Sequence, residues 1–170
     1  MNNFEALFAE YSCVPTDESV KAAVADILTK HVEENNNVEV WKQCLHSIDL
    51  TTLNGDDTTE KVETMAQRVN EFEDHFPGVP NVAAMCVYPA LVPVTKATLE
   101  TEGVNIAAVS ACFPSSQTFI EAKIAEVALT AAAGANEIDV VISVGKFFSG
   151  FHSEVYDELQ EIKDACHGTH

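Results

Sequence analysis

Four short apolar runs, each followed by a segment of helical period, constrain the fold of this chain more than any other feature. The runs occupy residues 45–50, 82–88, 106–112 and 138–144, and the second is continuously apolar. A run of that kind is expected of a strand covered on both faces. After the first run, Val62, Met65, Ala66, Val69, Phe72 and Phe76 recur at helical spacing, with Asp57 and Glu60 placed to cap and Pro77-Gly78 to stop the helix. A second helix is expected over 91–102. A third follows Thr118, where Thr118 and Glu121 can form a capping pair, and presents Ile120, Ile124, Val127, Ala128 and Ala131 inward before Gly134 ends it. Val155, Leu159, Ile162 and Cys166 mark a fourth helix starting near Ser153.

Ahead of these units, a helix opening at Asp17 carries Val20, Ala23, Val24, Ile27, Leu28 and His31 on one stripe and meets a breaker at Asn35-Asn36-Asn37. A short helical piece over 38–42 precedes the first strand. The expected organisation is one domain over 1–170, with an N-terminal helical segment at 1–44 and strand–helix units from 45 onward.

Successive strand–helix units joined by short turns give a parallel sheet with helices outside. Two architectures fit. A doubly wound sheet usually announces a glycine-rich phosphate loop after its first strand, and neither GxGxxG nor GxxxxGK[ST] occurs. A (β/α)₈ barrel needs no such loop but requires eight units, of which four are present. The expected fold is α/β, a partial TIM-type (β/α)₈ barrel in which 45–170 form the first half.

Barrel chemistry sits at the C-terminal ends of strands, so polar side chains there are the candidates. Asp49 interrupts the end of the first strand in Ile48-Asp49-Leu50-Thr51-Thr52. Asp139 lies inside the fourth, in Glu137-Ile138-Asp139-Val140-Val141. A carboxylate within an apolar parallel strand is costly to bury unless it is paired, which points to a proton-transfer role for Asp139, with an ion pair to one of the lysines as the plainer alternative. Asp49 can equally cap the following turn. Cys86, in the second strand, reads either as a small buried hydrophobe or as a group facing the site.

The same segments carry a resemblance. Residues 48–54 (IDLTTLN), 83–89 (AAMCVYP), 109–114 (VSACFP) and 134–141 (GANEIDVV) together resemble the deoxyribose-phosphate aldolases, in that family's order and spacing. The third motif reads Ala111-Cys112 where the family often has VGFP or TNFP. The resemblance implies a class I aldolase of deoxyribonucleotide catabolism that reversibly cleaves 2-deoxyribose 5-phosphate to glyceraldehyde 3-phosphate and acetaldehyde through a lysine Schiff base, without a metal or other cofactor. It matches the proton-relay acid to Asp139 and the strand-one acid to Asp49. Thr51 and Cys86 fall on positions lining the substrate site. Asp139 in that role agrees with the chemistry, since imine formation and C–C cleavage both move protons near neutral pH.

The nucleophile does not follow. A Schiff base requires a lysine whose pKa is lowered by burial or a neighbouring cation. The resemblance places that lysine on a sixth strand, its cationic neighbour on a seventh and the phosphate contacts on later loops, all beyond His170. Lys146 follows the fourth strand closely but is expected in a loop as a solvated lysine, and Lys123 is expected to face outward or snorkel from its helix. The chain is therefore expected to be inactive alone. The alternative is a non-catalytic half-barrel that self-associates or complements another chain through its two unpaired edges and exposed inner face.

Charge narrows the partners. With 27 acidic against 9 basic residues and a formal charge of −18, the chain has no cluster suited to nucleic acid or an anionic membrane. The expected partners are a sugar phosphate and a second copy of the chain. Five widely spaced cysteines without a CxxC pair read as reduced thiols. With no signal sequence or membrane-length apolar run, a cytoplasmic protein is expected. His167 and His170 have metal-ligand spacing but lack a partnering carboxylate, and a hydrolase built on Cys86 finds His46 at the wrong end of the barrel.

Overall fold

A computed structural model describes residues 3–11 and 15–166. Cys13, His167 and His170 lie outside the described residues. The described residues fall into two compact units divided between Gln43 and Cys44.

The first unit is helical. Helix α1 spans Asn3–Glu10 and α2 spans Asp17–Asn35. Thr16 caps α2: its side chain accepts from the Ser19 N–H while the Ser19 hydroxyl side chain accepts from the Thr16 N–H. The expected stripe does not bury. Val20, Val24, Ile27 and Leu28 are all exposed, and no residue of α2 is buried. Helix α3 covers Val38–His46, longer than the piece expected at 38–42.

That extra length displaces the first strand. Ser47 and Ile48 still donate to the Cys44 and Leu45 carbonyls, so the chain leaves the helical turn only at Ile48, and β1 is Asp49–Thr51. Asp49 thus opens this strand instead of ending it. The remaining elements are α4 (Thr59–Asn70), α5 (Phe72–His75), β2 (Ala84–Val87), a 3₁₀ turn at Pro89–Leu91, α6 (Val92–Thr98), β3 (Asn105–Val109), α7 (Ile120–Ala133), β4 (Glu137–Asp139), α8 (Val144–Phe148) and α9 (His152–Ala165). The strands are shorter than their apolar runs, because the later residues of runs three and four leave the ladder for the loops above the sheet. Asp139 is accordingly the last residue of β4, where the sequence pattern placed it inside the strand. Helix α6 also stops early, at Thr98.

Two expected caps are replaced. Thr58 caps α4 by accepting the Lys61 N–H, which frees Asp57 for another task described below. Helix α7 begins after Phe119 with no side-chain cap, so the Thr118–Glu121 pair does not form.

All four strands are parallel and lie in the order β1-β2-β3-β4, each beside its neighbour in sequence. A doubly wound sheet grows to both sides of its first strand, whereas a barrel adds each strand beside the last. The register follows a period of two. Met85 and Val87 of β2 and Ile106 and Ala108 of β3 point outward into a cluster with Val62, Ala66 and Val69 of α4 and Val92 of α6. Ile138 of β4 also packs against Val127 of α7 and Ile162 and Ala165 of α9. The opposite face is lined by small side chains, Ala84, Cys86, Ala107 and Val109, with Leu53, Tyr88 and Phe113 against them. Small residues are what a closing barrel interior accommodates.

Gly134 ends α7 at φ +113°, its N–H reaching the Thr130 and Ala131 carbonyls. A β-carbon there would also meet the Lys96 side chain. Gly134→Ala is expected to lower unfolding stability by about 1–2 kcal/mol, read from urea titration as a shifted midpoint at unchanged slope.

Candidate active site

Because side chains at i and i+2 share a face, the inner surface collects residues that are distant in sequence. Asp49 and Thr51 from β1, Cys86 from β2, Asn105 from β3, and Glu137 and Asp139 from β4 share the face of Ala84, Ala107 and Val109. Thr51, Cys86, Ala107 and Glu137 stand in one register row, and Asp139 stands beside Val109 one row higher. The four sequence-derived candidates are therefore brought to one surface.

Cys86 and Asp139 approach each other directly: the thiol donates to Asp139 Oδ2 across 3.7 Å. Burial of Cys86, together with the Asp139 charge and that hydrogen bond, pushes its thiol up to about 11. Cys86 is thus a neutral thiol near neutral pH and a proton donor to the carboxylate, which removes it as a hydrolytic nucleophile. Asp49, Thr51 and Asp139 are open to solvent. Although Asp49 is exposed, partial desolvation of its carboxyl raises it above its ordinary value, and the charges of Glu137 and Asp139 add to the effect.

Glu137 is a functional-face residue that sequence reasoning passed over. Its carboxylate accepts from Asn105 Nδ2 at 2.6 Å. The signal was present, since Glu137 and Asp139 are two apart on one strand. The inner face therefore holds three acids, and none of the strand residues is basic.

The lysines behave differently from expectation. Lys123 neither faces outward nor snorkels: it is 1% exposed. Its Nζ donates to Ser116 Oγ and Ser143 Oγ, both at 2.8 Å, and to Glu158 Oε2 at 3.3 Å. Three polar partners hold this Nζ within the cluster, away from the inner-face acids. Amphipathic spacing gave no warning, because the partners come from three other segments. Lys146 lies in α8, not in a loop, and pairs with Glu154 and Glu158, each at 3.0 Å. The hydrogen bonds it donates to these carboxylates raise its pKa above the ordinary lysine value, the opposite of what an imine-forming amine needs.

Glu158 joins the two lysines. Burial alone would push its carboxyl up, but hydrogen bonds from Ser143, Lys146 and Lys123 outweigh this and hold it below the usual carboxylate range. Ser143 Oγ donates to Glu158 Oε2 at 2.6 Å. A cleft of about 450 Å³ adjoins this cluster, lined by Ser116 to Phe119 and by Ser143, Gly145 and Lys146, and it does not include the inner-face acids.

The loop between β3 and α7 is strained. Ala111, Cys112 and Ser116 adopt positive φ of 55°, 61° and 56°, a region that costs a residue with a β-carbon about 1 kcal/mol or more. The Glu126 carboxylate accepts the Cys112 N–H at 2.7 Å, and Ser116 N–H bonds the Cys112 carbonyl, so the loop is held in this form. Ser110, just before it, has a buried hydroxyl without a hydrogen-bond partner among the described residues. At the opposite end of the sheet, His46 Nδ1 donates to the Asn81 carbonyl, away from Cys86.

A parallel sheet that adds each strand beside the last, with helices outside and carboxylates on its inner face, defines the class: a β/α-barrel protein. Residues 44–170 match the family described as DeoC/LacD family aldolase, and the chain belongs to that family. It is 36% identical to deoxyribose-phosphate aldolase of Homo sapiens and 34% identical to that of Bos taurus, each over 134 residues covering 72% of this chain and 42% of the relative. The solved deoxyribose phosphate aldolase of Aeropyrum pernix, described as a unique tetrameric structure, matches with a TM-score of 0.62 at 22% identity, over 89% of this chain and 57% of that one. A solved aldolase named QR15 matches with a TM-score of 0.64 at 22% identity, over 74% and 52%. The fold is a partial (β/α)₈ barrel, and the chain spans less than half the length of the human and bovine relatives. No helix among the described residues is long and apolar enough to cross a membrane.

At the top of β1, Asp57 fastens the loop into α4. Its carboxylate accepts from the Thr52 hydroxyl, the Asn54 N–H and the Lys61 ammonium. The Lys61 bond leads in holding its pKa well below the usual carboxylate range, against a smaller opposing effect of burial. A depressed folded-state pKa gives stability that is present above the unfolded value and is lost as pH falls below it. Asp57→Asn is expected to be less stable at pH 7 and to show a flatter loss between about pH 5 and pH 2, measured by urea titration at each pH.

Proposed function

We propose that this chain supplies the acid half of a Schiff-base aldolase that cleaves and forms 2-deoxyribose 5-phosphate. The observation that carries the reading is the meeting of Asp49, Thr51, Cys86 and Asp139, from three strands, on one inner face, with the Cys86 thiol donating to Asp139. In this reading Asp139 takes and returns protons as the imine forms and the C–C bond breaks. Asp49 and Thr51 hydrogen-bond the substrate hydroxyls, and Cys86 lines the site and orients the Asp139 carboxylate. The amine comes from strands beyond these four, because Lys123 and Lys146 are both committed to carboxylates. An amine opposite three acids would also receive the charge complement that the inner face lacks.

The sheet edges support a second reading, a half-barrel that pairs with a second copy: β1 and β4 each have one partner strand in the described sheet. Two copies closing face to face would set acids against acids, which favours a cationic partner instead.

The test uses borohydride with 2-deoxyribose 5-phosphate. The chain alone is expected to trap no adduct, and a reduced imine on Lys123 or Lys146 would overturn the reading. Mixed with a polypeptide carrying the remaining strand–helix units of a family barrel, the chain is expected to support cleavage, with Asp139→Asn lowering kcat by about 10²-fold or more. Unchanged turnover in that variant would overturn the assignment of Asp139.

A further inference from the structure

Strand β4 is three residues long, lies at the sheet edge and ends on Asp139. From β3, the Ser110 N–H reaches the Asp139 carbonyl, the last ladder-type bond on this strand. Beyond it the chain leaves the sheet: Val140 packs against the apolar cluster of α7 and α9, and the next residue held by side-chain hydrogen bonds is Ser143. A carboxylate at such a strand end has a defined direction only if the segment after it is fixed as well.

Ser143 is fixed from inside. Its hydroxyl is 2.8 Å from Lys123 Nζ and 2.6 Å from Glu158 Oε2, while the same ammonium holds Ser116 of the strained loop after β3. One buried cation therefore ties the loops that leave β3 and β4 to each other and to α9. Lys123, Ser116, Ser143 and Glu158 are all buried, so water does not compete for these bonds. None of the four lies on the inner face with the acids.

We propose that Lys123 is a positioning residue: through Ser143 it fixes the segment after β4 and so sets the direction of the Asp139 carboxylate toward Cys86. The role rests on the reading of Asp139 given above, but the tie itself is a matter of geometry and is tested without turnover. When Asp139 is in place, its charge and its hydrogen bond help burial keep the Cys86 thiol protonated. When Asp139 swings away, the thiolate becomes easier to form and Cys86 becomes more reactive.

The experiment is alkylation of the whole chain by iodoacetamide, with Cys86 resolved from the other cysteines by peptide mass spectrometry, at several pH values between about 7 and 10. Asp139→Asn sets the size of the effect. Ser143→Ala and Lys123→Met are expected to raise the Cys86 rate by about threefold or more at the upper pH values, and Lys123→Arg to stay near the parent rate. Val62→Ala, a buried residue of α4 remote from the tie, serves as a control for general loosening. If Ser143→Ala leaves the Cys86 rate unchanged, or if Val62→Ala raises it as much at an equal loss of thermal midpoint, the positioning role is overturned. Ser143→Ala decides the matter if Lys123→Met does not fold. Since the readout is a thiol, a negative result leaves the aldolase reading standing, and failure of the borohydride test leaves this tie standing.

Discussion

The two-residue alternation of a parallel strand governs everything else in this molecule. It sends Met85, Val87, Ile106, Ala108 and Ile138 outward, where α4, α6, α7 and α9 cover them. The same alternation leaves the inner face to small residues and acids. A slip of one residue in any strand would exchange those sets, burying carboxylates under helices and turning the apolar side chains inward. The outward core thus fixes the register, and the register assembles the site. Stability and chemistry are separated by face but set by a single constraint.

Above the sheet a second kind of interaction takes over. The strands are short, so their C-terminal ends depend on side-chain bonds instead of ladder bonds. Asp57 fastens the loop after β1, Glu126 the turn after β3, and Lys123 with Glu158 the loops after β3 and β4. Bonds such as the buried Lys123–Glu158 pair add little net stability relative to an apolar core, yet removing one partner of that pair costs about 3–5 kcal/mol because the other charge is stranded. They therefore define a single arrangement more than they strengthen the fold. In a barrel that places its chemistry at strand ends, a single arrangement is what the site requires.

Much of this was legible in the sequence, and the parts that were not share a cause. Apolar runs and helical periods located the four strand–helix units, and Gly134 marked the end of α7, because those signals are local. Asp49, Cys86 and Asp139 were legible as candidates because polar residues in apolar strands stand out, whereas Thr51 came only from the family resemblance. Strand ends were misplaced: the bonds that keep residues 47 and 48 in the turn of α3 leave no trace in apolarity, and the runs continue into loops. Lys123 was misread because its partners, Ser116, Ser143 and Glu158, come from a loop, a strand exit and a later helix, and no local pattern announces such a meeting. Glu137 was overlooked although its spacing from Asp139 revealed its face.

The central claim is that acids from β1 and β4 look onto one shared interior. The most direct measurement is a carboxyl-carbon NMR titration of Asp49 in the parent chain and in Asp139→Asn. If the two face each other, the Asp49 midpoint lies above the ordinary aspartate value and moves down when the Asp139 charge is removed. An Asp49 midpoint that is ordinary, or that Asp139→Asn leaves in place, would contradict the shared face and with it the account of the site.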